Sequence, residues 1–200
     1  MKHALLSVLL LLLTCAGYAQ SLVADNFEFI NESSAAEYKK AIQEYAAMLK
    51  ANPKDAATYS NRAAVYMELN NFKAAIADYN LALKYNPTDV NAYYNRGLAK
   101  IVAGDFMSAA ADMSEVIKVK PQDTDAYFNR ALAKMNLHHT KAALQDFNSV
   151  LKLDVHYIEA YYYRGLMKLQ TKDNKGACQD WHQAAAFDNR AGKLLNKHCK

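Results

Sequence analysis

The chain has 200 residues, with 24 Lys plus Arg against 20 Asp plus Glu, a net charge of +4, 52% hydrophobic and 22% charged residues. This balance argues against a disordered chain, and the small positive charge does not point to a nucleic-acid binder, which usually shows a concentrated basic stripe. Only 6 Gly and 3 Pro leave too little punctuation for a strand-rich fold.

In chain order, Lys2 and His3 precede an apolar run from Ala4 to Leu13, about half of the roughly 20 residues that span a bilayer. Gly17 and Ala19 flank Tyr18 as a small-residue exit. Residues 1–19 therefore read as a secretory signal peptide, cleaved after Ala19, which places the chain in the periplasm or outside the cell. A second reading stays open: Cys15 after Leu12-Leu13-Thr14 resembles a degenerate lipoprotein signal and would make the protein a membrane-anchored lipoprotein. Thr14 fits that signal poorly, so simple export is favoured. Residues 20–33 are polar and predicted to be irregular. Residues 34–53 predict a single helix.

From Ala56 onward a period of 34 organises the chain, in segments 56–89, 90–123, 124–157 and 158–191. Tyr59, Tyr93, Tyr127 and Tyr161 recur at position 4, Ala63, Gly97, Ala131 and Gly165 at position 8. Ala75, Ala109, Ala143 and Ala177 recur at position 20. Tyr79, Met113, Phe147 and Trp181 hold position 24. Apolar spacing is helical, which predicts a first helix over positions 1–14 and a second over 17–30 of each unit. Small residues at 8 and 20 let the two helices approach, where longer side chains would overpack. Residues 190–200 predict a short capping helix. Tyr59, the residues at positions 20 and 24, and Ala63, Gly97 and Ala131 at position 8 are the expected core.

These residues resemble the tetratricopeptide-repeat family, best in Tyr59, Ala63, Tyr66, Ala75, Tyr79, Ala82 and Pro87. Ala41, Tyr45 and Pro53 extend the resemblance backward as half a unit. Lys100, Lys134 and Lys168 depart from it at position 11, where an aromatic is expected. The resemblance implies an all-α, right-handed superhelical solenoid of antiparallel helix pairs. It also implies a non-catalytic scaffold that binds a peptide or protein segment in its concave groove. The groove residues would be Asn61, Tyr94, Asn95, Phe128, Asn129, Tyr162 and Tyr163. Aromatics supply large contact areas and Asn side chains hold extended backbone. The Lys and Asn clamp by which one subclass grips acidic chaperone C-termini is absent; only the Asn matches. The alternative is a structural or assembly subunit that docks through its convex face, with catalysis carried by a partner.

Arg62, Arg96, Arg130 and Arg164 at position 7 accompany Asp78, Asp112, Asp146 and Asp180 at position 23. A partly buried Arg needs a carboxylate, so structural ion pairs are expected rather than a polyanion site. His138-His139 reads as a solvated turn rather than a metal site. No catalytic constellation, metal, cofactor or small-molecule site is expected, and no nucleic acid. Cys178 and Cys199 remain after export. An antiparallel return of the final helix brings them together as a disulfide, and the ending GACQDW…KHC resembles a terminal pattern of exported Bacteroidetes repeat proteins, which implies the same pairing. Two reduced, buried thiols are the alternative.

Overall fold

The computed structural model describes residues 32–199, and these contain ten helices and no strand. They are α1 (Glu32–Ala51), α2 (Ala56–Glu68), α3 (Phe72–Tyr85), α4 (Val90–Val102), α5 (Phe106–Val119), α6 (Thr124–Asn136), α7 (Thr140–Leu153), α8 (Ile158–Gln170), α9 (Asn174–Ala184) and α10 (Asn189–His198). The expected leader, Cys15 and residues 20–31 lie outside the described residues. Glu32 and Ser33, expected to be irregular, already belong to α1.

The chain divides into two compact units, one ending at Asp105 and one starting at Phe106. In the first, α1 packs on α2, α2 on α3, and α3 on α4. In the second, α5 packs on α6, α6 on α7, α7 on α8, α8 on α9, and α9 on α10. Within each unit, every helix thus buries its apolar face against its sequence neighbours, as helix-pair arrays do.

The turns within pairs share one local device. Asn70, Gly104, His138 and Lys172, all at position 15, have positive φ of 55°, 80°, 59° and 66°. Each closes the preceding helix in the same way. The Asn70 amide donates to the Met67 carbonyl (2.9 Å) and the Asn71 amide to that of Tyr66 (2.8 Å). The equivalent bonds run from His138 to Met135 (3.0 Å) and from His139 to Lys134 (2.9 Å). This double bond pattern satisfies carbonyls that a helix end leaves open. The next residue then starts the second helix: Asn71 accepts from the Ala74 amide and Asp173 from the Gly176 amide. Loops between pairs carry Asp55, Asp89 and Asp123 as N-caps of the following helix. Tyr157 takes that place before α8 and makes no side-chain cap bond.

The core follows the repeat register. Ala63, Ala75, Ala109, Ala131, Ala143 and Ala177 are fully buried, as are Tyr79, Met113, Phe147 and Trp181. Tyr59 departs from the expected core: it is half-buried, stacked on Tyr85 with centroids 6.0 Å apart, under the Arg62 guanidinium. Gly165 is required by close approach, because a Cβ there would run into the Trp181 indole, 2.7 Å from its Cδ1. The indole N–H donates to the Tyr162 carbonyl at 3.2 Å.

Candidate binding surface

Position 7 is the most ordered polar feature. The Arg62 Nε and Nη2 donate to Asp78 at 2.6 and 2.8 Å. Arg130 holds Asp146 at 2.9 and 2.7 Å, and Arg164 holds Asp180 at 2.9 and 2.6 Å. These carboxylates are 3–5% exposed, so each charge is compensated by a bidentate fork. The bond to Asp78 holds the Arg62 guanidinium above its ordinary pKa. Arg96 and Asp112 fall in different units; Asp112 is buried as well.

The same guanidiniums also reach back one repeat. Arg96 Nη1 donates to Asn80 Oδ1 (2.8 Å), Arg130 to Ser114 Oγ (3.1 Å) and Arg164 to Asn148 Oδ1 (2.8 Å). Each acceptor is position 25 of the preceding repeat. The position-4 Tyr lies below, with Arg130 and Arg164 carbons 5.4 and 5.5 Å from the Tyr127 and Tyr161 centroids. The lysines at position 11 complete the arrangement: Lys134 and Lys168 place Nζ 2.7 and 2.9 Å from Asp146 and Asp180. Lys134 and Lys168, which depart from the family pattern, are thus second cations on a buried carboxylate.

The expected groove residues separate into two groups. Phe128 is 5% exposed and Tyr163 is 3% exposed. Their rings meet Phe147 and Tyr157 in one cluster, with Phe128–Tyr157 centroids 4.8 Å apart and Phe147–Tyr163 stacked at 6.0 Å. They are therefore core, not an open face. The physical reason is Tyr157, which replaces the capping Asp and lays its ring over Phe128, while its hydroxyl donates to Asp125 at 3.1 Å. Asn95 is hydrogen-bonded to the hydroxyl of Tyr79, whose pKa burial pushes up to about 12. Asn95 therefore joins α4 to α3 rather than waiting for a ligand.

Asn61 is exposed; Tyr94 and Asn129 are half-buried. Tyr162 is half-buried, with the Arg190 guanidinium of α10 4.4 Å from its centroid. Arg190 is itself oriented by Asp188, whose carboxyl burial would raise but the Arg190 bonds hold below the ordinary range. Around Tyr162, Leu166, Leu169, Leu194 and Leu195 pack on the cluster of Ala177, Trp181, Ala184 and Ala191. The C-terminal helix thus occupies the side of α8 and α9 that another helix pair would cover. Its end lies beside α9, with Cys178 and Cys199 Cα atoms 5.7 Å apart and their sulfurs bonded.

Residues 65–100 match a family model described as TPR repeat, and residues 94–137 one described as tetratricopeptide repeat. The chain matches no curated protein. A crystal structure of MamA is similar at 20% identity over 81% of this chain and 95% of that one, with a TM-score of 0.73. MamA from Desulfovibrio magneticus RS-1 is similar at 15% identity over 94% and 97%, with a TM-score of 0.70. The first TPR of Spaghetti (RPAP3), bound to the HSP90 peptide SRMEEVD, is similar at 21% identity over 58% and 93%, with a TM-score of 0.56. Residues 65–137 therefore carry tetratricopeptide repeats, and the described helices share the fold of these solved structures.

Proposed function

We propose that the protein is a non-catalytic interaction scaffold that binds a protein or peptide segment on its first-helix faces. The observation that carries this reading is the contrast at position 5: Phe128 is closed off by Tyr157, whereas Tyr94 is only half-buried on α4. Aromatic side chains left partly open beside amides are what an extended segment uses for contact and backbone hydrogen bonds. Asn61 and Tyr94 in the first unit, and Asn129 in the second, are the residues offered for this role; Tyr162 lies beneath the Arg190 guanidinium of α10. A solved neighbour of the same fold holds a peptide, which supports the mode of work. It does not carry over that peptide's chemistry, because the basic clamp positions here are Ser60, Asp125 and Asn129.

A photo-crosslinking residue at Tyr94 tests the reading against one at exposed Ala111. Adducts at position 94 that Asn61→Ala weakens are expected. Adducts at position 111 alone would assign binding to the convex face, as in an assembly subunit. We further propose that the chain is exported, with Gln20 as the mature N-terminus and Cys178 bonded to Cys199. N-terminal sequencing and non-reducing peptide mapping of envelope protein check both; a lipidated Cys15 would replace the first statement.

A further inference from the structure

In the second unit, α6, α8 and α10 end on the same edge at which α7 and α9 begin. The Thr140 hydroxyl donates to Gln170 Oε1 at 3.2 Å and ties two of these turns together. The Cys178–Cys199 bond and the Trp181–His198 ring contact, with centroids 5.8 Å apart, bring the end of α10 to the start of α9. His138, His139, Lys141, Lys172, Lys175 and Lys197 are all exposed there. The carboxylate within these turns is Asp173, and it is engaged as the N-cap that accepts the Gly176 amide at 2.9 Å. Position 18 runs along the edge as Met107, Lys141 and Lys175; Met107, at the start of α5, is 71% exposed.

We propose that this edge rests on an anionic membrane surface. The kind of cation decides between partners. All three arginines of the unit are turned away from the edge: Arg130 and Arg164 hold buried carboxylates, and Arg190 holds Asp188 over the Tyr162 ring. What is left on the edge is lysine. Protein interfaces draw their binding energy from Arg and aromatic anchors and are depleted in Lys. Single-stranded nucleic acid requires large aromatic platforms for stacking, and the α6–α7 and α8–α9 turns carry no Phe, Tyr or Trp. A set of hydrated ammonium groups on flexible stems matches a layer of mobile anionic headgroups, which needs charge density and not fixed geometry. Met107 adds one unbranched apolar side chain at the same level. The surface is separate from the first-helix faces, so it stands whether or not a peptide binds there.

The test is co-sedimentation of the full, disulfide-intact chain with vesicles of phosphatidylglycerol and phosphatidylcholine, and with phosphatidylcholine alone. An apolar leader, where retained, adds equally to both, so the difference isolates charge. Preferential binding to the anionic vesicles is expected, falling with added salt. K141Q/K172Q/K175Q/K197Q should reduce the preference by roughly fivefold per lysine, and the four matching Lys→Arg changes should retain it. Circular dichroism establishes that each variant keeps its helicity. Should the Gln variant not fold, the salt titration of the unaltered chain decides. Equal binding to both vesicle types, an anionic preference insensitive to salt, or one unchanged in the folded Gln variant overturns the proposal. Capture of polyglutamate without vesicle preference also overturns it and assigns the edge to an acidic protein.

Discussion

The pairs α2/α3 and α8/α9 are written in the same register but hold their buried carboxylates differently. Asp78 faces Arg62 alone, and position 11 of that repeat is Tyr66, whose ring packs on the Ala63–Tyr79 cluster. Asp180 faces Arg164 and Lys168 together. The wedge residue differs in parallel: Tyr79 lies over an alanine at position 8 in the first pair, and Trp181 over a glycine in the last. One repeat thus fills its centre with ring area and the other with a second cation and a larger wedge. The repeat fixes where a charge or a ring sits; the neighbouring positions decide how it is compensated.

Removing the carboxylates should separate the two pairs most sharply. Asp180→Ala strands two cations and should cost about 3–5 kcal/mol, with Asp78→Ala at the lower end because it strands one. Equilibrium denaturation of both variants checks this, and an equal or inverted order would break the comparison. Next in size is the staple of the last pair. Replacing Cys178 and Cys199 by Ser opens a loop of separation 21 and should cost about 3 kcal/mol in the chain-entropy estimate. Hydrogen exchange should rise in α9 and α10 while α2 and α3 keep their protection.

The glycine–tryptophan match predicts a smaller loss. Gly165→Ala pushes a methyl into a rigid indole and should cost roughly 1–3 kcal/mol. Trp181→Tyr in the same chain should recover part of it, a coupling that a double-mutant cycle reads. The smallest effect is alkaline and belongs to the first pair. Burial raises the Tyr79 pKa to about 12 from its ordinary value of 10.0. Below the unfolded value both states hold the proton, so stability is fully present; as pH climbs toward the folded value the unfolded chain ionises first and stability is lost. Thermal melts across that window should show the decline, and Tyr79→Phe should flatten this share of it.

The sequence carried the helix pairs because their signals repeat. Position 8, position 20 and the Arg–Asp spacing each recur four times, and repetition distinguishes a packing rule from an accident. The groove was harder to read, because a side chain's place on a first helix does not say what covers it. Phe128 and Tyr94 share position 5, yet only Phe128 is closed over, and the residue that closes it lies in a loop. The signal was present: Tyr157 breaks the series Asp55, Asp89, Asp123. An aromatic where a cap is due has somewhere else to go. Lys134 and Lys168 carried a similar message, since a charge replacing an aromatic near a buried Asp has a partner at hand.

The position-7 arginine gives the array a grammar for growth. Arg96, Arg130 and Arg164 each take an acceptor from the repeat before them, at Asn80, Ser114 and Asn148. A module of this length therefore ends with a socket and opens with the matching plug. Gene duplication in whole modules copies both halves and yields a working joint at once. A shift of one residue turns the guanidinium away from both acceptors together. Position 25 of the last module is His182, and position 7 of a module after it would be His198, at the end of α10. His182 and His198 thus stand where an acceptor and an arginine would be, so a helix pair following α9 in register would require restoring that pair as well as displacing α10.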